Sequence, residues 1–368
     1  MSEFAPCESA ELRVELIGDD AGRMHCEREL IARGVAMPLP HRVAWYRSGL
    51  TATSSLLVLR AEDGTPLAAC AIGRFPSRAL PGYYIWRVER LMWRLGEQIT
   101  ARAFDAIVEM ARRDGRVLRV VVELCDRNAE ARNQNSRVLA ASGFERARVP
   151  RTYAETIAID LDAPLDSVFA TLQRSARRNV RSTTKSGLAV KTIEDARHAS
   201  RMNQLLEETM ARTGGVHTPV DWRSVIRLSK SEPSLSRLVG LFHGDDADEC
   251  SLLAFAWGCN HGEYVTYDLA ASTRQVPVRV PLAYALAWDI ISWAHGNSAQ
   301  WFDFGGVTRG QLGDDDPLGG ISDFKRFFSD TVVSVGEDWI FEPSRMRSAV
   351  AGAVSAGASL VRRVRNVG

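Results

Sequence analysis

At 368 residues the chain exceeds what one ordinary core encloses, so two domains are expected. Hydrophobic residues at 45% and charged residues at 25% exclude a disordered chain and match a soluble globular protein. A formal net charge of +1 provides no global field for nucleic acid, so any basic site has to be a local patch. The six cysteines (Cys7, Cys26, Cys70, Cys125, Cys250 and Cys259) show no short pairing, which argues against a zinc site or a disulfide framework and suits a reducing compartment. The seven histidines lack H-x-x-x-H spacing and there is no G-x-S-x-G elbow, so neither a metal nor a serine triad is expected. The opening, Met1 to Glu11, lacks the basic-then-apolar order of a secretory signal, and no apolar run reaches the roughly 18–20 residues that span a bilayer. A cytoplasmic setting is the expectation, with peripheral membrane contact left open.

In chain order, Ala21 to Ala32 reads as a helix. Leu56–Leu59 and Leu67–Ile72 are apolar runs across Asp63-Gly64, a strong hairpin signal. Tyr83–Ile85 reads as a third strand, and Leu95, Ile99, Ala103, Ile107 and Met110 set a helix between Trp93 and Ala111. Val117–Leu124 is a continuous Val/Leu run, which predicts a buried strand. A helix at Ser136–Ala141 and a strand at Tyr153–Leu161 close a self-contained α/β unit.

A similar order then recurs. Asp162-Ala-Pro164 opens a helix that Gly187 closes, and Ile193–Arg212 is a second helix. Strands follow at Leu238–Phe242, Leu252–Cys259 and Glu263–Leu269, then a helix at Pro281–Ala294 and a buried strand at Trp301–Phe304. Val332–Val335 and Trp339–Phe341 complete the set, so the halves read as two copies of one α/β plan. The Ala/Val/Gly-rich tail carries Arg362, Arg363 and Arg365 and reads as a terminal helix packed back on the protein.

Two stretches carry candidate chemistry. On the helix after Pro164, Leu165, Val168, Phe169, Leu172 and Ala176 form a stripe for burial, while Arg174, Arg178, Arg181 and Lys185 share another face with Arg177 beside it. No acid occurs between Asp166 and Glu194, so these cations are either solvated, which is the commoner outcome, or held for phosphates. The second stretch is Trp301 to Phe328. A strand with one carboxylate, Asp303, ends in Gly305-Gly306, where the backbone can turn sharply or approach a ligand. A loop with Asp314, Asp315, Asp316, Pro317 and Gly319-Gly320 follows, and Ser322-Asp323 starts a short helix or turn carrying Phe324 and Lys325. A plain polar loop over a core strand competes with a site here.

Four segments in order resemble the FemABX aminoacyltransferase family. Ser175-Ala-Arg-Arg-Asn-Val-Arg-Ser-Thr-Thr-Lys-Ser-Gly187 is similar to its Arg-Arg-Asn-Ile-Arg-Lys-Ala-x-Lys-x-Gly segment. Glu263-Tyr-Val-Thr-Tyr267 with Ala270-Ala-Ser272, and Ile291-Ser-Trp-Ala294 with Trp301-Phe-Asp-Phe-Gly-Gly306, resemble its next strand, helix and strand. Gly320-Ile-Ser-Asp-Phe-Lys-Arg-Phe-Phe328 resembles its Gly-hydrophobic-x-x-Phe-Lys-x-x-Phe signature, with Ser329 where many members carry glycine. The resemblance implies two tandem GNAT-like α/β domains with mixed sheets, at 1–160 and 161–342, without the inserted helical arm. The second would carry the Arg-rich helix and the Phe-Lys motif, and a C-terminal helix, 343–368, would return to the first.

The resemblance also implies transfer of an amino acid from aminoacyl-tRNA to an amine of a peptide or peptidoglycan-precursor-like acceptor, with the charged tRNA as co-substrate and neither cofactor nor metal. Lys325, beside Phe324, would stabilise the charge that develops on the attacked ester. Asp303 would orient the amine or take its proton, or else bind backbone N–H groups. Tyr264, Tyr267, Gly305 and Gly306 would line the substrate cleft, although core packing suits both tyrosines. The basic residues Arg174, Arg177, Arg178, Arg181 and Lys185 would meet tRNA or substrate phosphates.

Two other readings stand beside this one. An acyl-CoA N-acyltransferase cradles pyrophosphate on a glycine-rich loop, and Ser272-Thr-Arg-Gln-Val-Pro-Val-Arg-Val-Pro281 has no glycine, which disfavours it. A non-catalytic RNA- or peptide-binding module is the third.

Overall fold

A computed structural model describes residues 12–51, 53–184, 186–213, 219–244, 248, 251–276, 280–308 and 319–354. Lys185, Asp314, Asp315, Asp316 and Pro317 lie outside the described residues, as does the tail beyond 354.

The first stretch of chain forms β1 (Arg13–Ile17), α1 (Asp20–Ala32), α2 (Val43–Ser48), β2 (Ser54–Arg60), β3 (Pro66–Pro76), β4 (Tyr84–Leu91), α3 (Glu97–Arg113), β5 (Val117–Cys125), α4 (Ala129–Ala141), β6 (Glu145–Arg146) and β7 (Glu155–Asp160). The second forms α5 (Leu165–Thr171), α6 (Arg174–Thr184), β8 (Leu188–Thr192), α7 (Ala199–Thr213), α8 (Trp222–Ser231), β9 (Ser236–His243), β10 (Leu252–Asn260) and β11 (Tyr264–Ser272). It ends with α9 (Ala283–Gly296), β12 (Trp301–Gly306), α10 (Gly319–Arg326), β13 (Val332–Ser334) and β14 (Gly336–Phe341). A further helix covers 345–354.

Local chemistry accounts for most of these elements. Gly64 takes φ +85° and the Asp63 carboxylate accepts from the Thr65 N–H at 2.9 Å, which closes the β2–β3 hairpin. The Asp19 side chain accepts from the Gly22 N–H and caps α1. Helix α3 turns Ala103, Phe104, Ile107 and Ala111 inward onto the sheet. Burying a side chain such as Phe104 contributes about 1.5–3 kcal/mol.

One expected helix is two. The helix read from Pro164 to Gly187 breaks at Leu172, whose ψ is 149°. Neither Leu172 nor Gln173 disfavours helix strongly; the break comes from tertiary contacts. Leu172 is buried, the Gln173 N–H donates to Phe327 O at 3.2 Å, and its amide donates to Arg326 O at 3.0 Å. Backbone groups that a helix would satisfy are satisfied here by the end of α10.

Two seven-stranded mixed sheets form, β1-β2-β3-β4-β5-β14-β6 and β8-β9-β10-β11-β12-β7-β13. Position by position they follow the same plan, with one parallel pair in each (β4–β5 and β11–β12). The sheets cut across the expected boundary at residue 160. β7, from the first stretch, lies between β12 and β13, and β14, from the end, lies between β5 and β6. Each sheet thus takes one inserted strand from the other half of the chain.

Compactness gives two units, one of 1–46, 51–152 and 335–368, the other of 47–50 and 153–334. In the first, the Ser348 hydroxyl on the terminal helix donates to Leu118 O at 2.9 Å. The second has its own core, in which Ile157 and Ile159 of β7 meet Leu286, Ile290 and Ile291 of α9 and Phe302 and Phe304 of β12. No described helix is long and apolar enough to cross a membrane.

Candidate active site in the second unit

Strands β11 and β12 run parallel and pair only from Tyr264↔Trp301 to Thr266↔Asp303. Beyond that point β11 continues on β10 to Ser272, while β12 stays with β7 through Gly306. The pair therefore opens at its carboxyl ends, the usual place for a ligand in such a sheet. The opening is a cleft of about 710 Å³, walled by Tyr267–Ser272 of β11, Phe304 of β12, Ala283 and Leu286 of α9, and Ile321, Phe324 and Lys325 of α10.

Lys325 is the cleft's one lysine among the described residues and is 8% exposed. Its ammonium donates to Gly306 O at 2.5 Å. Burial brings its pKa down to about 8, with the charge of Asp303 opposing that shift. Near pH 7 it is still mostly a cation, desolvated and held at the wall of an apolar cleft.

The glycine pair makes that position. Gly305 has φ +74°, and a Cβ there would lie 3.7 Å from the Lys325 ammonium. A Cβ on Gly306 would lie 2.6 Å from Tyr153 Cβ, so no side chain fits. The register against β7 shifts between Asp303 and Gly306, a bulge that leaves Phe304 and Gly305 without ladder partners, and Gly306, paired again with Thr156, offers its carbonyl to Lys325.

Asp303 is fully buried and absent from the residues that line the cleft. Its carboxylate accepts from the Tyr153 hydroxyl at 2.6 Å, from the Thr156 hydroxyl and from the Gly305 N–H at 2.7 Å. Those donors hold it inside the sheet, away from the cleft wall, which is the structural one of its two expected places. It braces the bulge, and its charge acts on Lys325. Tyr153 and Thr156 sit about 150 positions away in sequence, and no local signal marks them.

Helix α10 is held from several sides. Phe324 packs on Tyr284, Phe304 and Phe328, with ring centroids 5.1, 6.4 and 5.3 Å away. The Thr308 N–H donates to the Ser322 hydroxyl at 3.0 Å, and Arg326 donates to Thr308 O at 2.6 Å while pairing with Asp323 at 2.9 Å. Ser329 needs no glycine geometry, because among the described non-glycine residues only Arg90 and Ser298 have positive φ. Its hydroxyl accepts from the Thr331 N–H and closes the turn after α10.

The two tyrosines separate. Tyr267 lines the cleft and packs on Phe304, and burial pushes its phenol up. Its hydroxyl is enclosed with no hydrogen-bond partner among the described residues. Tyr264 is away from the cleft, wholly buried and stacked between His261 and Trp301 at 4.8 and 4.7 Å. It is a core residue, on the β12-paired segment of β11 before the opening.

The basic helix is only partly free. Arg177 donates to Ala170 O, and the Arg181 guanidinium lies 5.1 Å from the Phe169 ring. Arg174 and Arg178 are exposed and have no acidic partner among the described residues. None of these four lines the cleft, although Gln173, just before α6, is anchored to Arg326 and Phe327 of the α10 end. Sequence reading missed Arg212 and Asp268, which do line the cleft.

No family model and no curated protein matches the chain. Among solved structures, that of FemX aligns at a TM-score of 0.68 and 12% identity, over 89% of this chain and 97% of that one. The chain has the FemX fold. The C-terminal domain of a putative lysylphosphatidylglycerol synthetase from Agrobacterium fabrum aligns at a TM-score of 0.52 and 15% identity, over 92% of this chain and 97% of that one. L-PGS from Bacillus licheniformis aligns at 0.52 and 11%, over 94% and 98%. Similarity at these identities is one of fold. With the sheet orders above, it makes the protein two tandem GNAT-like units, as the sequence resemblance implied.

Proposed function

We propose that the protein is an acyltransferase that moves an amino acid from aminoacyl-tRNA to an amine of a peptide or peptidoglycan-precursor-like acceptor. The observation that carries this reading is Lys325, a desolvated cation fixed at the wall of the open cleft. The acceptor amine attacks the ester carbonyl and forms a C–N bond. The carbonyl oxygen becomes an oxyanion, which the ammonium of Lys325 stabilises. Collapse breaks the C–O bond to the terminal ribose, and the proton lost by the amine ends on the released ribose hydroxyl. The products are an amide and uncharged tRNA.

The FemX fold and the fold of a lysylphosphatidylglycerol synthetase support an aminoacyl cargo. Arg174 and Arg178 offer exposed cations to a phosphate backbone. The segment from Ser272 to Pro281 has no glycine for a pyrophosphate cradle, which disfavours acyl-CoA as the donor. Such a reaction takes place in the cytoplasm, where charged tRNA is found. The test is transfer of radiolabelled amino acids from total charged tRNA, with and without ribonuclease. Ribonuclease-sensitive transfer is the expected result. Transfer that survives ribonuclease and needs acyl-CoA overturns the reading, and RNA binding without turnover with any donor supports a binding module instead.

A further inference from the structure

Strand β11 is buried from Tyr264 to Tyr267, and then Asp268 is exposed. The register explains the break. Trp257 of β10 pairs with Leu269 and Gly258 pairs with Tyr267, so the register skips Asp268, an extra residue on β11. It is a β-bulge, a device that re-aims one side chain without ending the strand. Asp268 is also the only acidic residue among the described residues that line the cleft, whose wall is otherwise mostly alanine, leucine and aromatic. Among the described residues the cations in the lining are Lys325 and Arg212, and Arg212 donates to Ser272 O at 3.3 Å and feels the charges of Arg274 and Glu208.

The electrostatics of the proposed donor give that carboxylate a task. An α-amino acid esterified to tRNA has lost its carboxylate but keeps its α-ammonium, one carbon from the carbonyl that Lys325 has to face. Two ammonium groups in one apolar cleft repel each other, and an acyl group without the amine suffers no such penalty. A cleft holding Lys325 alone would therefore favour simple or N-blocked acyl groups over the donor it is meant to take. We propose that Asp268 receives the α-ammonium of the donor and so makes the cleft selective for α-aminoacyl esters. This rests on the donor being an aminoacyl ester, as argued above. Asp268 acts in recognition; the acyl-transfer step stays with Lys325.

The probe is a stable mimic of a charged tRNA end, 3′-amino-3′-deoxyadenosine acylated with L-alanine through an amide. Its N-acetyl counterpart replaces the α-ammonium with a neutral acetamide, and the added bulk is the same for every variant compared. Wild type is expected to bind the free-amine mimic about tenfold or more tightly by calorimetry, the scale of one charge-assisted hydrogen bond. Asp268→Asn is expected to bring the two affinities within about twofold, and Asp268→Glu to restore part of the preference. The ratio is taken within each protein, so loss of folded material cancels. Equal binding of both mimics by wild type, no binding of either, or an unchanged ratio in Asp268→Asn overturns the proposal. Transfer from charged tRNA by wild type is scored separately. If it occurs while the ratio is flat, the function stands and Asp268 has no such role; if it is absent while the ratio holds, the reverse follows.

Discussion

In the first unit the parallel pair β4–β5 stays paired to Leu91↔Leu124, whereas its counterpart β11–β12 in the second parts after Thr266↔Asp303. The connection that follows β4 is short and clamped. Trp93 is buried and donates to Ala69 O, Asn135 donates to Trp93 O at 2.7 Å, Gln134 donates to Leu95 O at 2.6 Å, and Arg94 forms two 3.0 Å bonds with Asp126. Where the second unit has an open wedge, the first has its own side chains. Both units carry a bulge on the equivalent strand. In the first it lies between Val88 and Leu91, where Arg90 takes φ +51° and Glu89 acts on the buried Glu123. In the second it presents Asp268 to the cleft. One plan thus supports a packed body and one with a cleft, and the difference lies in how far two parallel strands stay paired.

Closing the second cleft as the first is closed should have the largest effect. Ala270→Trp places an indole on its wall, and transfer should fall by about 10²-fold or more, with the melting temperature shifted by only a few degrees. Steady-state kinetics alongside a thermal melt checks this; full activity would mean the cleft is not the site.

Undoing the bulge that serves Lys325 comes next. Gly306→Ala drives a Cβ into Tyr153 at 2.6 Å and should cost about 1–3 kcal/mol of stability in urea titration.

The third prediction separates charge from structure. Transfer should fall above a pKa near 8, about tenfold per pH unit at the limit, as Lys325 loses its proton. Lys325→Arg, if active, should lose that limb. The stability effect runs the other way. The folded pKa is below the ordinary 10.5, so between about pH 8 and 10.5 the unfolded chain binds more protons and this group's contribution to stability rises with pH. Comparing urea midpoints of wild type and Lys325→Met across that window shows whether the rise belongs to this residue.

The smallest effect is in the packed unit. Arg94→Ala leaves the buried Asp126 without its guanidinium and should cost about 1–2 kcal/mol, with transfer per folded molecule unchanged. A parallel loss of specific activity would give the first unit a part in the reaction.

Much of this was legible in local pattern. Asp63-Gly64, the Val117–Leu124 run and the strand from Trp301 all appear where composition and periodicity place them, while the short helix with Phe324 and Lys325 begins at Gly319, ahead of the expected start at Ser322. What escaped reading depends on partners distant in sequence. The break at Leu172 is set by Phe327 and Arg326, and the exchange of β7 and β14 by pairings that no window spans. Asp268 reads as one more strand residue until β10 supplies the register. Asp303 shows the converse: a carboxylate at a strand end looks reactive in sequence, yet Tyr153, Thr156 and the Gly305 N–H occupy it. Helix α8 carried a readable signal, an Asp221 cap before Trp222, Val225 and Ile226, but it follows a stretch with no clear pattern.

The account places the chemistry on one cation in the second unit, and the most direct test is the single-turnover rate of transfer from charged tRNA by Lys325→Ala beside wild type. The expected result is a rate about 10²–10³-fold lower with donor affinity nearly unchanged. A rate equal to wild type, in a variant that melts normally, would contradict it.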